Sequence, residues 1–416
     1  MKAPLTPATR ILLGLALGLA AGIALAAASP AWLPSLLAIA EPIGNLWLKA
    51  LTMTVVPLVF SLLVTGIAST ARHALAGRLA MRALWWFLAL MLFSAVFGEV
   101  VVGAMLQAWP IPAAAGEALR AGIAANATVV PPPASVGTWL LAILPSNPLK
   151  AAAEDQMLPL VMFALVFGFA VARIERVQGP RLSTWFQAVV DALLVMVEWV
   201  ILVAPLGVAA LALVLGARAG IAVAGALAHY VALIVAAQVL IIALIYPLLA
   251  VLGRVRVRRF ARAVAPAQAV AASTQSSLAS LPAMVESSQA LQVPASTTAL
   301  VLPMAVSLFR FTGPVANVGV VVYSAALFDV HLSLAHLVAG ALLAPLMSLA
   351  AVGLPGQVSF FTSIAPICVA MGVPVGALPL LLAVETIPDI FRTIGNVTAD
   401  VAVTAGLATR NEPPTS

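Results

Sequence analysis

Long apolar runs alternate along this chain with short loops that hold most of its charge. Stretches such as ILLGLALGLAAGIALAAA (11–28), VVPLVFSLLVTGIA (55–68) and YVALIVAAQVLIIALIYPLLAVLG (230–253) recur from one end to the other. About 20 apolar residues in a helix cross the ~30 Å hydrocarbon core of a bilayer. Lipid offers no partner to bare backbone N–H and C=O groups, so runs of this kind are helical. The pattern predicts spans near 11–29, 45–69, 83–108, 157–174, 184–216 and 221–253. Less regular runs follow near 263–292, 297–328, 334–372 and 375–407. The expected class is an all-α polytopic membrane protein.

Two of the late runs break the spanning pattern. Residues 263–292 contain STQSSLASLPAM, a hydroxyl-rich stretch with a proline in it, and 334–372 contain GLPGQVSFFTS. Each arm is too short to cross alone, so both runs predict re-entrant helical hairpins. Irregular backbone at membrane depth survives only where it lines a cavity or is buried in protein. A kinked ordinary span is the alternative. Two breaks flanking one span favour the hairpins, in the manner of the broken helices of secondary transporters.

Composition and charge fit the same class. The chain is 63% apolar and 8% charged, with a net charge of +6. A soluble domain of that composition would expose too much apolar surface. With a cytoplasmic N-terminus, Arg72, Arg78, Arg82, Arg173, Arg176, Arg181 and the cluster RVRVRRFAR (254–262) all fall inside, whereas Arg120 and Arg218 fall outside. This positive-inside asymmetry accounts for the basic balance without nucleic acid, leaving the lipid bilayer as the expected partner. The polybasic loop touching anionic lipid is a secondary reading. Lys2, Arg10 and AAASPA also resemble a secretory signal, but the apolar run exceeds the ~7–15 residues of a cleaved core and reads as a retained first span. One cysteine, Cys368, excludes an intrachain disulfide framework. High Ala and Arg usage points to a bacterial inner membrane.

The segment PDIFRTIGNVTAD (388–400) stands apart. At about 100° per residue, Glu385, Asp389, Arg392, Thr393, Asn396 and Asp400 share one helical stripe roughly 100° wide. A charge at a helix centre costs about 2.5–3.5 kcal/mol on insertion scales. Two readings compete: an ion-pair ladder that glues helices, and a site for a solute or ion. Packing alone does not recover several such costs, which favours the site.

The segment resembles the last span of the glutamate transporter family, the dicarboxylate/amino acid:cation symporters. The resemblance covers nearly the whole chain. LWLKALTMTVVPLVFSLLVTGIAST (46–70) is similar to the family's second span and LPSNPLKAAAEDQMLPLVMFALVFGFAVA (144–172) to its P-x-N-P-x-x-A…LP segment. QSSLASLP (275–282) resembles the serine-rich tip of the first hairpin and GLPG (353–356) the tip of the second. The resemblance implies eight spans plus two re-entrant hairpins in a glutamate-transporter-like elevator fold, assembled as a homotrimer. Residues 1–408 would form one transporter domain, with 409–416 as a cytoplasmic tail. The scaffold would hold about 11–69 and 157–216, and the moving transport unit about 83–108 and 221–408. No enzymatic chemistry and no organic cofactor are implied; the coupling ion is sodium or a proton.

Site roles follow from the same resemblance. Asp389 would accept the substrate's amino group, and Arg392 would hold its side-chain carboxylate. Thr393 and Asn396 would bind the amino and α-carboxylate ends. Ser276 and Ser277, with backbone around Gln275, would bind the α-carboxylate from the first hairpin. Gly353, Pro355 and Gly356 would close the second hairpin over it. Asp400 and Asn396 would contribute to a sodium site. A guanidinium fork suits a carboxylate, and a pure dicarboxylate has no ammonium for Asp389. The expected solute is therefore an acidic amino acid, aspartate or glutamate, with a C4-dicarboxylate as the alternative.

The family's seventh-span signature, Asn-Met-Asp-Gly-Thr, is absent. Its place holds Phe309, Arg310, Phe311, Thr312 and Gly313, and Asn317 lies out of register. Arg310 is a candidate substitute for a bound cation, with Asp400, Asp389 or Glu99 as counter-charge; a structural salt bridge is the other reading. Ala279 and Val358 each replace a glycine usual at a hairpin tip. Glu99, alone in an apolar span, is a candidate coupling carboxylate or a helix-packing group. His73, His229, His331 and His336 show no metal-ligand spacing. Trp32, Trp47, Trp85, Trp86 and Trp199 read as interfacial anchors.

Overall fold

The computed structural model describes residues 7–28, 30–74, 78–113, 116–117, 144–154, 156–174, 177–220, 222–251, 255–350 and 356–408. Regular structure among them is helical. The elements are α1 (Pro7–Ala28), α2 (Leu33–Thr52), α3 (Val55–Ala74), α4 (Arg78–Ala108), α5 (Pro148–Ala153), α6 (Met157–Arg173), α7 (Gln178–Leu202), α8 (Ala204–Ala219) and α9 (Ala222–Val251). They continue as α10 (Val257–Thr274), α11 (Leu281–Ala290), α12 (Ala295–Leu308), α13 (Thr312–Leu327), α14 (Leu334–Ala350), α15 (Gly356–Ala370), α16 (Leu378–Val384) and α17 (Thr386–Leu407). Five helical stretches, including Arg78–Ala108 and Val223–Leu249, are long and apolar enough to cross a membrane. Leu17, Trp85, Val100, Trp199 and Leu206 are exposed, as a lipid-facing surface requires.

Four predicted spans are broken rather than continuous, and one cause serves all four. The run at 45–69 divides between α2 and α3 at Met53 and Thr54, that at 184–216 divides at Val203, that at 297–328 at 309–311, and that at 375–407 at Glu385. Pro57, Pro205, Pro314 and Pro388 fall in the first turn of the segment after each break. Proline has no N–H to give and its ring clashes with the carbonyl four residues back, whereas the first helical turn needs no such donor. Periodicity carries the apolar pattern straight across these breaks, so hydropathy alone reads through them.

The first helices pack among themselves. α1 lies along α8, α2 also touches α8, and α3 packs on α6 and α7. Backbones meet at the α1–α8 contact: a Cβ on Gly14, Gly18 or Gly22 would lie 2.5, 2.3 or 2.3 Å from the carbonyl oxygens of Pro205, Ala209 and Leu213. Small residues four apart let helices approach this closely where lipid supplies no hydrophobic drive. Trp47 of α2 packs on α8 at Gly207 and donates its indole N–H to the Val200 carbonyl of α7 at 3.0 Å. It is buried, so its role is packing, not the interfacial anchoring expected of it. Trp32, Trp85, Trp86 and Trp199 are exposed.

The second group is built around α17. Helices α9, α10, α11, α12 and α13 all pack against it, and α4 packs on α13 and α14. α13 is buried around nearly its whole circumference, which places it at the centre. The first hairpin comprises α10, a tip at 275–280 and α11, and its first arm begins at Val257, six residues ahead of the predicted start. Gln268 ties this arm to its neighbours, donating to the Thr398 hydroxyl at 2.8 Å and the Tyr246 hydroxyl at 2.9 Å. α14 and α15 pack side by side as arms of the second hairpin.

Candidate functional site

The polar stripe of α17 faces the protein interior. Arg392, Thr393, Asn396 and Asp400 are buried, and Asp389 is half-buried. α17 starts immediately after the break at Glu385, itself 2% exposed. The break lets Glu385 turn its carboxylate back over the first two turns. Arg392 Nη2 contacts Glu385 Oε1, while Nη1 donates to Asp389 Oδ1 at 3.4 Å. Tyr230 of α9 donates its hydroxyl to the other Glu385 oxygen at 3.4 Å. These ion pairs join residues of α17 and its cap, so they fix side chains and do not clamp two helices together. Arg392 Nε has no hydrogen-bond partner among the described residues.

One turn further along, α17 meets the break between α12 and α13. Asn396 Oδ1 accepts the backbone N–H of Thr312 at 3.0 Å, and the Thr312 hydroxyl lies 2.7 Å from the same oxygen and 2.6 Å from the Arg392 carbonyl. A helix start has N–H groups without partners; here a side chain from another helix caps it. Gly395 makes room, since a Cβ there would lie 2.3 Å from the Thr312 methyl.

Asp400 follows on the same stripe. It is fully buried, and neither carboxylate oxygen has a hydrogen-bond partner among the described residues. Its charge faces that of Arg310, which also interacts with Asp389. Phe309 and Phe311 flank Arg310, both buried, with Phe309 stacked on Phe87 at 4.9 Å. The oxygen of Asn396 is already engaged by Thr312, and the phenylalanines offer no side-chain oxygen.

Other expected residues fall in different places. Gln275 ends α10 in the left-handed region with φ 51°. Ser276 closes the hairpin tip on itself: its Oγ accepts the Ala279 N–H at 3.2 Å, and its carbonyl accepts the Ser280 hydroxyl at 2.9 Å. Ser277 is half-buried at the tip. Thr393 donates its hydroxyl to the Asp389 carbonyl at 2.9 Å. Gly353 and Pro355 lie outside the described residues, as does the 409–416 tail, and Gly356 opens α15. Glu99 stands on α4. Its Oε1 lies 2.8 Å from where a Cβ on Gly340 would stand, against the second hairpin. Asn317 is buried beside Ser348 at 3.5 Å.

Three participants carried no assigned role beforehand. Glu385 shares the stripe, one turn before Asp389, and that spacing was its signal. Tyr230 sits in an unbroken apolar run and gave none. Thr312 was hidden in the segment where the expected motif is missing.

Broken helices, a hairpin and a buried polar stripe meeting at one point define a secondary transporter, a class that binds its solute at such interruptions. The chain matches the sodium:dicarboxylate symporter family over residues 8–409 and belongs to it. It is a membrane symporter and not an enzyme. Among similar proteins is the proton/sodium-glutamate symport protein of Bacillus subtilis (strain 168), 26% identical over 370 residues that cover 88% of this chain and 85% of that one. The C4-dicarboxylate transport protein of Azorhizobium caulinodans is 27% identical over 384 residues, covering 90% and 83%. The proton/glutamate-aspartate symporter of Escherichia coli (strain K12) is 25% identical over 362 residues, covering 86% and 82%.

Proposed function

We propose that the chain is a symporter of an acidic amino acid, aspartate or glutamate, working by elevator-type alternating access with reduced dependence on sodium. One observation carries the substrate reading: Arg392 and Asp389 stand together on the buried face of α17. That is a cationic fork beside a carboxylate, the two groups a zwitterionic dicarboxylic solute needs once it leaves water. Thr393, Asn396 and the Ser276–Ser277 tip supply the polar surroundings, and the second hairpin around Gly353, Pro355 and Gly356 closes the site. Arg310 supplies the positive charge that a sodium ion would bring to Asp400, so a proton is the principal coupling ion.

The packing supports a division of labour. Helices α1–α3 and α6–α8 form the scaffold of a homotrimer, and α4 with α9–α17 forms the moving unit. The basic loops support a reading with both termini in the cytoplasm of a bacterial cell and the protein in its inner membrane. A C4-dicarboxylate is the second reading, favoured by the Azorhizobium relative, which is as similar as the glutamate carriers. Uptake of labelled L-aspartate and of succinate into proteoliposomes, under an imposed sodium or proton gradient, tests both. The expected result is proton-driven aspartate accumulation that Arg392→Ala abolishes. Succinate uptake without aspartate uptake would reverse the substrate order, and a strict sodium requirement would refute the role given to Arg310.

A further inference from the structure

We propose that Glu385 is a built-in counter-anion seated on Arg392, that an incoming substrate carboxylate displaces it, and that the displaced Glu385 takes up the proton that moves with the substrate. This rests on the reading of Arg392 as the substrate clamp and adds a residue to it.

The geometry sets the conflict. Both terminal nitrogens of Arg392 are engaged, one by Glu385 and the other by Asp389. A carboxylate binds a guanidinium best as a parallel fork to two N–H groups. A substrate carboxylate that forks across the two terminal nitrogens competes with both neighbours for their N–H groups; the Nε–H, which has no partner among the described residues, is buried. Asp389 is the one needed in place, because it meets the substrate's amino group. Glu385 is the one able to leave. It sits at the break between α16 and α17, outside both helices, and among the described residues its second oxygen is held only by the Tyr230 hydroxyl at 3.4 Å.

Burial decides what happens next. Glu385 is 2% exposed, and an ionised carboxylate at such a depth needs a partner charge. The titratable and charged groups facing it are Arg392 and Asp389 from its own helix and Tyr230 from α9, with Tyr323 edge-on to Tyr230 at 5.2 Å. Only Arg392 among them is a cation. Arg310 acts on Asp389 and Asp400 and is not among the charges that act on Glu385. Once the substrate holds Arg392, Glu385 has no cation left, and a proton restores its neutrality. The Tyr230 oxygen is then positioned to accept the new acid proton. No bond other than O–H forms, and the proton leaves by the same route when substrate departs and Glu385 returns to Arg392.

The test is titration calorimetry of the whole detergent-purified protein with L-aspartate and with succinate, in two buffers of different ionisation heat. The wild type is expected to take up about one proton per substrate bound, with affinity falling about tenfold per pH unit on the alkaline limb. Glu385→Gln is expected to bind with about one proton fewer and a flat pH profile. No proton uptake by the wild type, or unchanged uptake in Glu385→Gln, would overturn the proposal. Should Glu385→Gln fail to fold, Tyr230→Phe replaces it: a shifted pH midpoint is expected, and an unmoved one overturns the role of Glu385. Arg392→Ala separates the two levels. If it binds as the wild type does, the substrate clamp itself is wrong. If it loses binding while Glu385→Gln keeps its proton uptake, only Glu385 is misassigned.

Discussion

Replacing Arg310 with methionine isolates the charge that stands beside Asp400. The methionine keeps the apolar stem between Phe309 and Phe311 and deletes the guanidinium. Asp400 is then a fully buried carboxylate whose oxygens have no hydrogen-bond partner among the described residues. Removing one member of a buried ion pair in contact costs about 3–5 kcal/mol, an upper bound here because the Asp400 oxygens accept no hydrogen bond from Arg310. At 1.4 kcal/mol per tenfold, that is roughly two to three and a half decades in the folded-to-unfolded ratio. Arg310→Met/Asp400→Asn removes both charges and should recover most of the loss. A cation seating on the bared Asp400 would return about 2.7 kcal/mol at a concentration one hundred times its Kd. The assay is thermal melting followed by size-exclusion, in sodium chloride against choline chloride at equal ionic strength. The wild type should not distinguish the two salts. Arg310→Met should melt lower and be rescued by sodium alone, and its uptake should become sodium-dependent. The double variant should melt near the wild type in either salt. A double variant no better than the single one, or a wild type selectively stabilised by sodium, would refute the reasoning.

Three further outcomes follow from other contacts. Gly18→Leu places side-chain carbon where the Ala209 carbonyl stands at 2.3 Å, so it should cost about 3 kcal/mol or more and lower the melting temperature of the purified protein. Asn396→Ala leaves the buried Thr312 N–H without its acceptor and should cost about 1–3 kcal/mol in melting experiments, whereas Asn396→Asp keeps the acceptor and should lose much less. Arg218→Ala breaks a 2.7 Å pair with Glu41, but the pair is partly exposed, so melting should move by no more than about 1 kcal/mol.

The spans and the polar stripe were legible in the chain because each rests on a local rule. Apolar runs report helices, and the 3.6-residue repeat puts Asp389, Arg392, Asn396 and Asp400 on one face without any tertiary knowledge. The breaks were half-legible. Pro57, Pro205, Pro314 and Pro388 could have marked them, but proline is also tolerated inside helices here, as Pro42, Pro247 and Pro303 are. Only packing separates the two kinds. The pairing of Arg392 was partly legible: the stripe put Glu385 on its face, but not the helix break at Glu385 that accompanies their contact. The cap that Asn396 provides to Thr312 joins residues 84 apart in sequence and leaves no local trace. The neighbour of Glu99 was equally hidden: a lone carboxylate in an apolar span invites a role in coupling, and only the fold shows that it packs at Gly340.

The charges in this cluster give symport a physical reason. Glu385, Asp389 and Asp400 face Arg392 and Arg310, so with every group ionised the buried cluster carries one net negative charge. An acidic amino acid adds another and a C4-dicarboxylate adds two. At membrane depth such an excess is expensive, and the substrate can be carried only with compensating positive charge. On the proposed reading Arg310 is a fixed cation that removes the need for one mobile ion. Glu385 is an anion that one proton can erase at the moment the substrate takes its seat. On that reading the cost of burying the substrate's charge falls on mobile protons more than on mobile metal ions. On this account the number of charges moved per substrate should rise by about one when Arg310 is neutralised, because the lost fixed cation must be replaced by a travelling one.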